Sequence, residues 1–366
     1  MGTRDYSPFG TDAARAVDSG LTAAEWYHTE VPRKVMKDLM ARSDAAAIRD
    51  TVLLYGLMIG FAAAGIALWP SPWSLPFWLG YGVLYGSASD SRWHECGHGT
   101  AFKTAWMNNV VYEIASFMVM RNSATWRWSH ARHHSETYLV GRDPEIAVMR
   151  PPDFARVILN FFGIFDVITF VPTLIRNAFI GPTAAEKTFV PASAWGRVQR
   201  VAIIHLAIYA ATIALALATR SILPLMVIGL PRLYGSWHLV MAGLLQHGGL
   251  ADNVTDHRLN SRTVLMNPVS RFIYWNMNYH VEHHMFPMVP YHALPRLHAT
   301  IKHDLPAATP SIAAGYREMW PALKRQLRNE NFFIHRALPP GAKPYRDDFH
   351  RLAAAAATAA AATAAE

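Results

Sequence analysis

Residues 51–70 read T-V-L-L-Y-G-L-M-I-G-F-A-A-A-G-I-A-L-W-P, with no charge anywhere in the run. A helix of about 20 apolar residues spans the hydrocarbon core of a bilayer. Inside lipid the backbone must satisfy its own hydrogen bonds, so helices and closed barrels are the only spanning folds. Residues 73–90 supply a second apolar run, residues 201–219 a third, and residues 221–246 a fourth, broken by Pro224, Pro231 and Arg232. Four transmembrane helices in two hairpins are expected. Charged residues make up only 16% of the chain, against about 25% in an average soluble domain, which excludes disorder for most of it.

Charge sets the orientation, because Lys and Arg collect on the cytoplasmic side. Arg33, Lys34, Lys37, Arg42 and Arg49 precede the first run, and 12 Lys and Arg lie between Arg92 and Arg200. The link between runs one and two has neither residue type, and the link between three and four has only Arg220. A multi-pass protein with both termini and the middle segment in the cytoplasm follows. The net charge of +8 then belongs to span flanks facing anionic lipid, and no nucleic-acid partner is expected. Trp69, Trp73 and Trp78 suit an aromatic belt at the outer interface. Residues 154–180 are apolar but carry Asp166, Pro172 and Arg176, and an interfacial, amphipathic placement is expected. The expected organisation is a cytoplasmic segment 1–50, a membrane domain 51–305, a cytoplasmic helical region 306–352 and an Ala-rich tail 353–366 without assigned function.

Eighteen histidines are the second unusual feature, 15 of them between His94 and His303. His94-Glu95-Cys96-Gly97-His98 places two imidazoles on one helix face at i and i+4. His130-Ala131-Arg132-His133-His134 and His280-Val281-Glu282-His283-His284 repeat that spacing with an additional i+3 position. The first two boxes lie between spans two and three, and the third follows span four. Two intervening spans return the chain to the same face, so all eight can converge. His247, at the cytoplasmic end of span four, is a ninth candidate. Nine imidazoles exceed the coordination of one ion, so two ions are expected. Imidazole suits iron, zinc and copper. Iron is the choice that activates O₂ beside unactivated C–H bonds of an apolar substrate. The single cysteine excludes an intrachain disulfide and an iron–sulfur cluster held by this chain.

These boxes, in this order and position, resemble those of the integral-membrane fatty acid desaturase and hydroxylase superfamily. H-E-C-G-H-G-T is similar to the first box of acyl-lipid desaturases. H-A-R-H-H with the downstream Gly141-Arg142-Asp143-Pro144-Glu145 resembles the second. N-Y-H-V-E-H-H-M-F-P, with Val289-Pro290 and Leu294-Pro295, resembles the third-box region, although front-end desaturases usually have Gln where His280 stands. The resemblance covers roughly residues 50–305. It implies an all-α integral membrane protein with four transmembrane helices. A helical cytoplasmic cap would enclose two iron ions held by His94, His98, His130, His133, His134, His280, His283 and His284. It implies His247 as an additional ligand, O₂ as cosubstrate and fatty acyl desaturation as the activity. It also implies a separate electron donor of ferredoxin, rubredoxin or cytochrome-b5-like type, docking on the cytoplasmic face.

Each ligand imidazole needs an acceptor for its other N–H. Asp143, Asp256 and Glu282 lie within or near the boxes and are candidates. The segment Asp252-Asn253-Val254-Thr255-Asp256-His257-Arg258 resembles a family segment that contacts the site. His238, beside Trp237 within a predicted span, is a candidate for lining the substrate channel, since intramembrane ionisable residues are commonly functional. His205, in another span, has an equally good packing explanation.

Other readings stay open. The same boxes serve hydroxylation and oxidative demethylation of smaller apolar or methylated compounds. His94-Glu95-x-x-His98 also fits the zinc-protease motif, in which Glu is the general base, but that leaves six box histidines without a role. A metal- or heme-handling membrane protein would place its histidines along a path inside the spans, whereas these gather at the boundary.

Overall fold

The computed structural model describes residues 4–347; the Ala-rich tail lies outside the described residues. Among the described residues the chain is all-helical, with two isolated β-bridges and no strand. Helices α1 (Thr11–Asp18) and α2 (Arg33–Leu39) precede α3 (Asp44–Ala67). Ser43 caps α3 by accepting from the Ala46 N–H, and Asp44 favours the same end of the helix dipole. The helix then runs 24 residues, about 36 Å at ~1.5 Å per residue. Val52, Leu53, Leu57, Ile59 and Ile66 are exposed on it, and such an apolar outer face suits lipid.

α4 (Leu75–Val83) continues through a π-helical turn at Leu84–Ala88 into α5 (Ser89–His98), so the second expected span passes directly into the first histidine box. An inserted π turn changes the facing of everything after it. α6 (Ala105–Met118) packs along α5, and α7 (Ser123–Ser135) carries the second box. α8 (Phe154–Phe161) and α9 (Ile164–Phe179) meet at 86°. The bend falls at Gly163, whose φ is +62°; a Cβ there would lie 2.5 Å from the Arg232 carbonyl oxygen. The segment expected at the interface is therefore two helices at nearly a right angle.

α10 (Trp195–Thr219) is the third apolar run as one helix. The fourth is not a single helix. It is divided into α11 (Leu223–Val227), α12 (Pro231–Gly235) and α13 (Trp237–His247), since Pro231 lacks the N–H that would continue the ladder. By length and composition, residues 33–67 and 192–219 can each cross a membrane, and α8–α9 is a third candidate if its bent pair is one span. At α12 the fourth run crosses the second closely. A Cβ on Gly235 would stand 1.8 Å from the Gly82 carbonyl oxygen, and one on Gly82 2.3 Å from the Tyr234 ring. Small residues at helix crossings allow this approach. The buried Arg232 guanidinium joins the Gly86 carbonyl in the π turn to the Asp166 carboxylate on α9.

The remaining helices are short: α14 (His257–Asn260), α15 (Pro268–Ile273), α16 (His280–Met285), α17 (Leu294–Ile301) and α18 (Ile312–Gln326). The third box forms α16, in a core with Leu294, Leu297 and Ile301 of α17 and with Tyr27 and Leu39 from the N-terminal segment. Both ends of the described chain reach this region. The Tyr27 N–H donates to the Thr255 carbonyl, and Arg258 donates to the carbonyls of Lys343 and Pro344.

Candidate metal centre

The nine expected histidines form two clusters. His94, His98, His130, His134 and His283 make one, and His133, His247, His280 and His284 the other. Within each, one nitrogen per ring lies within 4.8 Å of all the others. In the first, Nε2 of His94 is 2.7 Å from that of His283, and Nε2 of His130 is 3.0 Å from that of His98 and 3.1 Å from that of His134. In the second, Nε2 of His280 is 2.9 Å from that of His247 and 3.0 Å from that of His284.

The partition follows from helix geometry. At 3.6 residues per turn, positions i and i+4 differ by about 40° and position i+3 lies about 60° to the other side. α7 turns His130 and His134 to the first cluster and His133 to the second. α16 does the converse: His280 and His284 face the second cluster and His283 the first. α5 contributes its i, i+4 pair to the first cluster and ends immediately afterwards at Gly99, with φ +69°, a left-handed stop suited to glycine. α13 contributes His247 from its last turn.

The opposite ring nitrogens meet acceptors. Nδ1 of His130 is 2.9 Å from Glu145 Oε2, Nδ1 of His133 is 2.8 Å from Asp143 Oδ2, and Nδ1 of His247 is 2.7 Å from the Asn260 carbonyl oxygen. His280 is the exception: the Gln246 amide nitrogen, a donor, lies 3.2 Å from its Nδ1. A proton held on Nδ1 leaves the Nε2 lone pair facing inward. Lone pairs about 3 Å apart in a buried pocket repel unless a cation lies between them. Adjacent corners of an octahedron with metal–nitrogen bonds of about 2.1 Å are about 3.0 Å apart, so both nitrogen sets fit a metal ion.

Electrostatics favour the same state. Burial, with the neighbouring His94, His134 and His98, holds His130 well below the usual imidazole range. Burial brings His98 down to about 4. His133 differs: burial pulls it down, but the Asp143 carboxylate outweighs that and raises it. Burial pushes Glu145 up to about 7.

The remaining candidates lie elsewhere. Asp256, expected as an acceptor for a ligand imidazole, instead holds Arg258 at 2.8 Å and caps α14. Arg258, two residues on, takes the carboxylate. Glu282 faces away from the clusters, bonding Thr263 and His298. His238 is buried with Nε2 3.2 Å from Ser270 Oγ, and Trp237 is half exposed. Both lie nine or more residues before His247 on α13, about 14 Å along the axis. A cavity of about 420 Å³ is lined by Arg121, Trp126, Ser129, Arg156, Thr173 and Asn177 among others, and by none of the nine histidines, Trp237 or His238. His205, buried, rests edge-on against Phe117. Glu95, the base of the protease motif, accepts from Thr100 Oγ1 and the Tyr291 N–H, and its other oxygen lies 3.9 Å from Nδ1 of His283, on the far side of that ring from the cluster.

Sequence reasoning assigned no role to Glu145, although it stands two residues after Asp143 in the quoted D-P-E. It also missed Gln246, the Asn260 carbonyl, and Trp126, which stacks on His130 with ring centroids 4.2 Å apart. A backbone carbonyl and a stacking partner leave no sequence signal.

Two all-histidine clusters that could hold metal ions, in a chain with two or three helices long and apolar enough to cross a membrane, point to a membrane metalloprotein. The chain belongs to the fatty acid desaturase family, whose model matches residues 67–316. It is 34% identical over 102 residues to an endoplasmic-reticulum omega-6 fatty acid desaturase of Glycine max, covering 27% of this chain and 26% of that protein. It is 25% identical over 301 residues to a chloroplastic omega-3 fatty acid desaturase of the same plant, covering 76% and 62%. A chloroplastic sn-2 acyl-lipid omega-3 desaturase (ferredoxin) of Helianthus annuus is 26% identical over 300 residues, covering 76% and 64%. The chain thus spans under two thirds of the length of these relatives.

Proposed function

We propose that the protein is an O₂-dependent fatty acyl desaturase of the membrane, with five histidines holding one iron ion and four holding a second. The observation that carries this reading is the pair of Nε2 clusters in a chain of the desaturase family. Bound iron would supply the O₂ activation needed to remove hydrogen from an unactivated C–H bond. The chain's own residues do the rest. Asp143 and Glu145 fix the tautomer and angle of His133 and His130. Trp126 covers one face of His130. The cavity lined by Trp126 and Ser129, at about 420 Å³, is within the range of small-molecule sites.

The proposed topology has four crossings, near 51–70, 73–90, 201–219 and 221–246. Residues 1–50 and 306–352 flank a membrane domain of 51–305, with both termini and the site in the cytoplasm. Two features support it. The second run enters the first histidine box without a helix break, and segments from both ends of the described chain meet beside the third box. The electron donor is a separate carrier protein of ferredoxin, rubredoxin or cytochrome-b5-like type docking on that face. A role for Trp237 and His238 along the substrate path remains part of this proposal.

The test is metal analysis of purified protein together with lipid analysis of host membranes expressing the chain and a carrier. Two irons per chain and new double bonds in acyl chains are expected. One zinc per chain would overturn the proposal. Unchanged lipids with an oxygenated or demethylated small product would move it to the hydroxylase branch.

A further inference from the structure

Trp26 lies in the N-terminal segment, before the residues matched by the family. Its indole stacks on the His257 imidazole with ring centroids 4.3 Å apart and planes 10° from parallel. His257 in turn lies 5.0 Å from the ring of His284, a member of the second cluster. We propose that Trp26 and His257 form the entry path for electrons from a one-electron carrier protein to the second cluster. This rests on the di-iron reading above.

Three observations carry it. The path begins at the surface, because Trp26 is partly exposed, and continues through His257, which is 1% exposed. All four histidines of the second cluster are buried, so a docked protein reaches that cluster only through intervening groups. Second, the rings are fixed. Trp26 Nε1 donates to the Ser135 carbonyl at 2.9 Å, one residue past the second box, and the next residue donates its N–H to the Thr255 carbonyl. Third, Nδ1 of His257 is buried without a hydrogen-bond partner. That costs stability which an apolar residue of similar size would not lose, so packing alone is a poor account of an imidazole there.

The carrier gives up one electron, which passes to the iron of the second cluster, and both rings end in their starting state. Two such electrons and two protons, with two hydrogens removed from the substrate, reduce one O₂ to two waters. A ferredoxin fits as the carrier, because one relative has that donor in its name.

The experiment compares iron-loaded wild type with Trp26→Leu, Trp26→Met and Trp26→Phe. Stopped-flow absorbance follows reduction of the iron by a reduced [2Fe–2S] ferredoxin and, separately, by reduced methyl viologen; iron content is measured on the same samples. The non-aromatic variants should keep their iron and their rate with the dye, and lose several-fold or more in rate with ferredoxin. Trp26→Phe should recover most of it. Equal ferredoxin rates in wild type and Trp26→Leu would overturn the proposal. So would equal slowing with both donors, or loss of iron in both non-aromatic variants, which would make Trp26 a structural residue. A wild type without iron would instead defeat the di-iron reading itself.

Discussion

Glu145 Oε2 lies 2.9 Å from Nδ1 of His130, on the side of the ring away from the cluster. Ser129 Oγ donates to the other oxygen of the same carboxylate at 2.7 Å. The acceptor behind the ring is thus itself fixed. Replacing such an acceptor typically costs about 10–100-fold in metal affinity or activity. Glu145→Gln should weaken iron binding in the first cluster by that order, and Asp143→Asn in the second. Competition against a chelator measures both.

Ala substitutions at consecutive positions should separate the two centres. His134→Ala removes a member of the first cluster and His133→Ala one of the second. Each should lower iron towards one per chain while the protein still enters membranes. The Mössbauer signals of the iron that remains should differ between the two variants. Identical residual spectra would contradict the partition.

Gly235→Ala should be among the most destabilising small substitutions in the chain. Its Cβ would meet the Gly82 backbone, at 1.8 Å from the carbonyl oxygen, and backbone cannot swing aside. Overpacking typically costs about 1–3 kcal/mol, and more where nothing yields. Gly60→Ala is the control, because a Cβ there meets nothing within 4 Å. Thermal unfolding in detergent should show a large drop for the first and little change for the second.

The metal-free protein should lose stability on acidification. Burial is the first cause holding His98 near 4 and His130, His280 and His284 well below the usual 6.5. Below pH 6.5 the unfolded chain takes up protons that the folded chain refuses, so unfolding gains from each step down in pH. The stabilising contribution is complete above 6.5 and falls away towards about 4. His133, raised beside Asp143, and Glu145, pushed up to about 7 by burial, act in the opposite direction but are outnumbered. The unfolding midpoint of stripped protein between pH 7 and 4.5 checks the sign.

The histidine boxes were legible because i, i+3 and i+4 spacing is a local property of a helix. Their division between two centres was not, because it depends on how α7 and α16 face each other. The first and third apolar runs were legible as long helices. The second and fourth were legible as apolar, but not as a helix with a π turn and a run split at Pro231. Asp143 was found from its place beside a box. Asp256 had the same proximity and a different partner, because Arg258 on the same short turn reaches it first.

α7 and α16 each carry histidines of both clusters, and this sets a length scale. The gap between the two clusters is spanned by side chains that leave one helix a single residue apart. It is therefore fixed by the pitch of the peptide helix and not by any loop. Breathing of the surrounding loops can open or close access to the site without changing that gap. The two clusters are held as on a ruler, and variation around them leaves their spacing constant.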